Sequence, residues 1–199
     1  MSATQPIKSI EQVRKLKNYF IEKEEYRNFL LVSVCLNTAL RISDILALEW
    51  KDVLNLSTKR TKKYLNIPEA KTGKKTNIII NRAIKDAIKL FIEKENIESE
   101  FMFSNKNGEA MTRENAYYII KNAGISIGLE HEISPHSLRK TFGYHAWKNG
   151  VPPAMLMELY NHSSYEVTKR YLGIDQDEKD TVYSKIILWK ERWFLWKRI

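Results

Sequence analysis

SPHSLRKTFG, residues 134–143, reads as a helix start that carries an imidazole and a guanidinium on one face. Ser134 is an N-cap residue and Pro135 suits the first helical position, where a missing N–H costs nothing. His136 and Arg139 then fall at i and i+3, which project from the same side of a helix. Two readings are open for the pair. One is a capped surface helix; the other is a pair of side chains reaching for one phosphate, with Arg139 making charge-assisted, bidentate bonds and His136 moving a proton near neutral pH. The helix is expected to run to about Asn149 and stop at Gly150.

Working outward, helices dominate. Ser9-Ile-Glu-Gln12 reads as a capping box ahead of Ile10, Val13, Leu16 and Phe20 at helical spacing. About Glu25 to Asn37 is nearly apolar all round and reads as a central buried helix. Arg82–Glu95 follows Asn81 as a cap, and Arg113–Asn122 follows Thr112 and is expected to end before Gly124. Pro152 and Pro153 open a short helix through Leu159, Val167–Leu172 forms another, and a last one starts near Asp177 or Asp180. Between the helices, Val53–Leu56, Tyr64–Ile67 and Asn77–Ile80 are β-rich and separated by polar turns. The expected fold is mainly α, with these segments as a small antiparallel three-stranded sheet and Phe101–Phe103 as a short edge strand.

The chain has 199 residues, 43 % of them hydrophobic and 29 % charged, which suits one globular domain with a main core and a satellite. A net charge of +9 points to a polyanionic partner, most simply nucleic acid. From Lys59 to Lys75 seven basic residues (Lys59, Arg60, Lys62, Lys63, Lys71, Lys74, Lys75) face one acid, Glu69. Placed on hairpin tips, they are a solvated face or a set of contacts to a groove. Cys35 is the only cysteine, so no intrachain disulfide forms, and its apolar surroundings suit a buried thiol. There is no signal-peptide apolar region and no run of membrane-spanning length, so a cytoplasmic location is expected. The four histidines are scattered, without paired cysteines, a His-Glu-x-x-His motif or a glycine-rich phosphate loop, so neither metal nor cofactor is expected.

Three further residues invite chemistry. Arg41, in NTALRISDILAL, lies between apolar segments and needs a partner: an internal pair with Glu49 or Asp44, or a bound phosphate. His162 lies in LYNHSS, and Tyr171 follows nine residues later beside Lys169 and Arg170. A tyrosine is most simply a core residue; as a nucleophile it requires positive neighbours or a base.

Together these segments resemble the catalytic domain of tyrosine recombinases, or phage-type integrases, over roughly residues 7–175. TALRISDILALEW is similar to the segment with the family's first catalytic arginine, at Arg41. EAKTGKK is similar to the hairpin with the catalytic lysine, at Lys71. PHSLRKTFG matches the His-x-x-Arg box (His136, Arg139), LYNHSS the following histidine box (His162), and TKRYLGI the nucleophile box (Tyr171). The spacings, 26 residues from His136 to His162 and nine more to Tyr171, are also the family's. Asn161 departs from the usual glycine, but asparagine also tolerates unusual backbone angles.

The resemblance implies a metal-free mechanism. Tyr171 attacks a DNA phosphodiester to form a 3′-phosphotyrosyl bond, and Arg41 and Arg139 stabilise the phosphorane oxygens. Lys71 protonates the leaving 5′ oxygen, His162 positions the phosphate and His136 assists acid–base traffic. Lys59, Arg60, Lys62, Lys63, Lys74, Lys75, Lys140, Lys169 and Arg170 are the residues expected to meet double-stranded DNA. The expected protein is a site-specific recombinase assembling as a tetramer on DNA. The rival expectations are a non-catalytic DNA-binding regulator that keeps the fold and a type IB topoisomerase-like relaxing enzyme. Residues 1–199 are expected to be one catalytic domain with no N-terminal core-binding domain. In the helical tail, about residues 177–199, Val182, Ile186, Trp189, Trp193 and Trp196 form a stripe. That stripe packs on its own domain or docks on a neighbouring protomer.

Overall fold

A computed structural model describes residues 4–68 and 75–187. Ten helices and four short strands are described. Two helices open the fold: α1 (Ile10–Glu22) and α2 (Tyr26–Asn37). They lead through α3 (Ile42–Leu46) and α4 (Trp50–Val53) into strands β1 (Leu54–Asn55), β2 (Arg60–Thr61), β3 (Tyr64–Pro68) and β4 (Lys75–Ile79). The rest is helical: α5 (Arg82–Lys94), α6 (Arg113–Ser126), α7 (Pro135–Lys148), α8 (Pro153–Tyr160), α9 (Tyr165–Leu172) and α10 (Asp175–Lys185).

Ser9, Asn81, Thr112 and Ser134 each accept a backbone N–H of the first turn of the helix they precede, as expected. Ser164, not among the expected caps, does the same for α9 and starts it at Tyr165. Helix α2 is buried from Asn28 through Cys35 and packs against α5 and α7, so its all-round apolar sequence makes it the hub of the main core. Cys35 lies within that core, and burial pushes its thiol up to about 12. A second, smaller cluster of Tyr144, Leu156, Tyr160, Leu172 and Ile174 ties α7, α8 and α9 together. Among the described residues no helix is long and apolar enough to cross a membrane.

Four expectations change. The strands form two separate antiparallel ladders among the described residues, β1 with β2 and β3 with β4, not one three-stranded sheet. The cause is local. The Asn55 side chain accepts the N–H groups of Ser57 and Thr58, and Lys59 takes a left-handed φ of 54°. The first strand therefore folds back on its own neighbour and leaves Tyr64–Pro68 to pair with β4 alone. Phe101 makes only an isolated bridge with Glu49. Helix α6 also runs past Gly124 instead of stopping before it. A Cβ there would lie 2.5 Å from the Ile133 side chain, so this glycine permits a close approach instead of ending the helix. Helix α10 starts two residues earlier than Asp177.

Candidate active site

Three helices and one turn bring the chemistry together. The Ser134–Ser137 reciprocal cap starts α7 and aims His136 and Arg139 at the C-terminal end of α9, where Tyr171 sits. Arg139 is buried, its Nε donates to the Ala39 carbonyl at 2.6 Å, and its own carbonyl accepts from the Tyr160 hydroxyl at 2.7 Å. The guanidinium is held by the Ala39 carbonyl and by the Tyr160 ring, 4.8 Å from Cζ, which pre-organises its remaining N–H groups. One of them, on Nη1, lies 3.4 Å from the Tyr171 hydroxyl, and that hydroxyl lies 3.4 Å from His136 Nδ1. The phenol can thus accept from Arg139 and donate to His136.

His162 follows Asn161, which ends α8 in the left-handed region at φ 54° and ψ 48°. This is the conformation for which glycine or asparagine is favoured, and it swings the imidazole back over the site. His162 Nδ1 lies 3.1 Å from the Thr168 hydroxyl, which itself donates to the Ser164 carbonyl at 3.2 Å. That network assigns the hydrogen of the neutral ring to Nδ1 and leaves Nε2 with its lone pair. The Tyr171 ring meets the His136 and His162 rings edge to face, each at 5.0 Å.

Arg41 caps the start of α3 and lines, with Arg139, Asn161 and His162, a cleft of about 640 Å³. Glu49, named above beside Arg41, forms an ion pair with Lys51. Lys71 and Lys74 lie outside the described residues, as do Trp189, Trp193 and Trp196; of Lys75 only its place in β4 is described.

A family model for the phage integrase family matches residues 8–178. The chain belongs to the phage integrase family. It is 40 % identical over 184 residues to the probable integrase/recombinase YoeC of Bacillus subtilis strain 168, covering 92 % of this chain and 97 % of that protein. It is 28 % identical over 167 residues to the tyrosine recombinase XerA of Pyrococcus furiosus, but spans only 56 % of it. The crystal structure of XerA recombinase superposes with a TM-score of 0.71 at 19 % identity, covering 91 % of this chain and 65 % of that one. XerH recombinase bound to a palindromic difH substrate gives a TM-score of 0.71 at 19 % identity, covering 92 % and 54 %. The mainly α fold with small antiparallel strands is therefore the integrase catalytic-domain fold.

Electrostatics within this integrase site run in one direction. Desolvation pushes the Tyr171 hydroxyl up, and the Arg139 and Arg41 charges pull it back only in part. Desolvation also lowers His162, helped by Arg139 and Arg41. His136 is held down to about 4 by desolvation, then by the Lys140 and Arg139 charges. The site thus favours a neutral phenol and neutral imidazoles among cations. An incoming phosphate reverses part of that field.

Of the basic residues expected at DNA, Lys59, Arg60, Lys62, Lys63 and Arg170 are exposed. Lys140 and Lys169 turn inward. Lys140 is 7 % exposed and its Nζ donates to the Thr4 carbonyl at 2.7 Å. Lys169 lies 3.6 Å from Glu178 of α10 and is three-quarters buried. Both sit on helical faces that pack, where a lysine stem covers apolar surface and its head finds an oxygen. Sequence reasoning also passed over Thr168 and Tyr160, which orient His162 and Arg139. Both lay inside the motifs TKRYLGI and LYNHSS, and only their packing partners distinguish them.

Proposed function

We propose that this chain is a site-specific DNA recombinase that breaks and rejoins duplex DNA through a 3′-phosphotyrosyl intermediate. The observation that carries the reading is the position of the Tyr171 hydroxyl, within hydrogen-bonding reach of both Arg139 and His136 and packed against His162. A tyrosine used only for packing does not need an arginine and a histidine converging on its oxygen.

In the reaction, the Tyr171 oxygen attacks phosphorus and its proton passes to His136 Nδ1. The new O–P bond forms as the bond to the 5′ oxygen breaks. Arg139 and Arg41 take the charge that grows on the nonbridging oxygens, and His162 adds a hydrogen bond through Nε2 once protonated. Lys71, carried over from its motif, supplies a proton to the leaving 5′ oxygen. Attack by a second strand's 5′-hydroxyl reverses these steps and releases Tyr171, so no external energy source is consumed. The exposed basic residues of the β1–β2 hairpin and Arg170, together with Lys74 and Lys75, contact the duplex backbone and hold it over the site.

The active form is a tetramer on double-stranded DNA, built from single catalytic domains (core 7–175) whose tails, about 177–199, dock through the Trp-rich stripe. It acts in the cytoplasm. YoeC, similar along nearly its whole length, is itself described as a probable integrase/recombinase. The test is incubation with nicked, suicide-type duplexes bearing candidate sites. A covalent protein–DNA adduct is expected, and it disappears in Tyr171→Phe. An adduct that survives this change refutes Tyr171 as the nucleophile. Binding without any adduct from the wild-type chain favours the regulator. Relaxation without strand exchange favours a topoisomerase.

A further inference from the structure

The segment Thr4–Lys8 crosses the back of the site as a strap. The Ile7 N–H donates to Thr141 Oγ1 at 2.8 Å, the Ile7 carbonyl lies 3.0 Å from His145 Nε2, and Lys8 pairs with Asp177 at 2.6 Å. A Cβ on Gly173, two residues after Tyr171, would lie 3.1 Å from the Gln5 side-chain oxygen. At the head of this strap the Thr4 carbonyl takes the Lys140 ammonium. The same ammonium stands over the Tyr171 ring, 5.0 Å from its centroid.

We propose that Lys140 is a positioning residue for Tyr171: anchored by the Thr4 carbonyl, its cation presses on the ring face and holds the hydroxyl between Arg139 and His136. The inference rests on reading Tyr171 as the nucleophile. Tyr160, His136 and His162 surround the ring with aromatic neighbours at 5.0–5.2 Å. Two cations stand over it, the Arg139 guanidinium at 5.8 Å and, nearer, the Lys140 ammonium. A buried ammonium on the ring face adds an attraction that depends on the ring's orientation. That attraction grows as negative charge develops on the phenol during attack, so it acts more strongly on the transition state than on the resting site. A lysine reserved for DNA would keep its ammonium in solvent. This one is spent on a carbonyl and a ring.

The test compares Lys140→Met, Lys140→Gln and Lys140→Arg in the full chain. Glutamine keeps an N–H for Thr4 but no charge, and it carries the comparison if the methionine variant does not fold. Three measurements are made: the single-turnover rate of adduct formation on saturating nicked duplex, DNA affinity by gel shift, and the ring signals of ¹³C-tyrosine-labelled, DNA-free protein. The Tyr171 signal is assigned by its loss in Tyr171→Phe. Methionine and glutamine should each slow the adduct step about tenfold, with affinity changed less than about threefold, while arginine keeps most of the rate. The Tyr171 ring signal should move in both neutral variants. An unmoved signal with an unchanged rate overturns the proposal. So does a loss restored by more DNA, which makes Lys140 a DNA contact, or an arginine variant as slow as methionine, which leaves packing alone. If the wild-type chain forms no adduct, the nucleophile reading fails instead, and the ring signal alone decides whether Lys140 holds Tyr171.

Discussion

Gly143→Ala sets two opposed effects against each other at the crossing of α7 with α8 and α9. Within a helix, alanine is favoured over glycine by about 0.8–1.0 kcal/mol. Against that, a Cβ at 143 would lie 2.5 Å from Leu172 Cδ2, 2.5 Å from the Tyr160 hydroxyl and 2.9 Å from Tyr160 Cε2. Neither neighbour has room to give, since Leu172 and Tyr160 are buried at 0 % and 1 % exposure. Tyr160 is further fixed by its bond to the Arg139 carbonyl. Overpacking of this kind costs about 1–3 kcal/mol, and loss of the buried hydrogen bond adds about 1 kcal/mol. Subtracting the helix gain leaves a net destabilisation of roughly 1–3 kcal/mol. For a chain of this size that lowers Tm by roughly 2–12 °C.

The same shift reaches the chemistry, because Leu172 adjoins Tyr171 and the Arg139 guanidinium stacks on the Tyr160 ring at 4.8 Å. Adduct formation should therefore fall further than the loss of folded protein accounts for. Thermal melting and single-turnover cleavage well below Tm measure the two effects separately. A Tm equal to or above wild type would mean that helix propensity outweighs the clash, which refutes the close crossing. A lower Tm with an unchanged cleavage rate would refute the link from α8 to Arg139.

Other predictions follow from single contacts. Asn161→Ala forces a Cβ-bearing, non-asparagine residue into the left-handed region and should cost about 1 kcal/mol, whereas Asn161→Gly should melt near or above wild type. Equal melting of the two variants contradicts the assigned backbone. Thr168→Val keeps shape but removes the partner of His162 Nδ1, so the adduct rate should fall roughly tenfold with DNA affinity kept; loss of affinity in step with rate argues for a general packing defect. His136 is held down to about 4 in the fold, against about 6.5 in an unfolded chain. Between those values the unfolded chain binds more protons. The stability His136 contributes is complete above about pH 6.5 and is lost as the pH falls toward 4. Urea midpoints should therefore drop across that window, and less so in His136→Gln; an identical slope in the variant removes His136 as the cause.

Much of the helical frame was legible because helix starts are local codes. Ser134 with Pro135, Thr112 and Asn81 announce their helices within one turn, and each does cap one. Once Ser134 sets the start of α7, the faces of His136 and Arg139 follow from helical geometry. Asn161 was equally readable, since few residues accept its backbone angles. The strands were not, because their pairing hung on a turn. Asn55 binding two N–H groups and Lys59 in the left-handed region divide the strands into two ladders, and β-propensity carries no trace of that choice.

Lys140 and Lys169 show what charge alone leaves out. Each sits beside a motif residue in a basic chain, and both read naturally as DNA contacts. Helical geometry, however, puts Lys140 about 100° around α7 from Arg139, and what waits there is a strap from the other end of the chain. Its Thr4 carbonyl is 136 residues away in sequence. Thr4–Lys8 has no periodicity by which to predict that meeting. Lys169 is similar: its direction depends on Glu178, in a helix whose start lay two residues earlier than the sequence suggested. Local patterns therefore locate the groups that face the substrate, while the residues behind them are set by long-range packing. In this integrase the second set includes the groups that hold Arg139, His162 and Tyr171 in place. Substituting Tyr160, Thr168 or Lys140 should consequently disturb cleavage with little change in DNA affinity, whereas neutralising Arg60, Lys62 and Lys63 together should weaken binding and flatten its salt dependence.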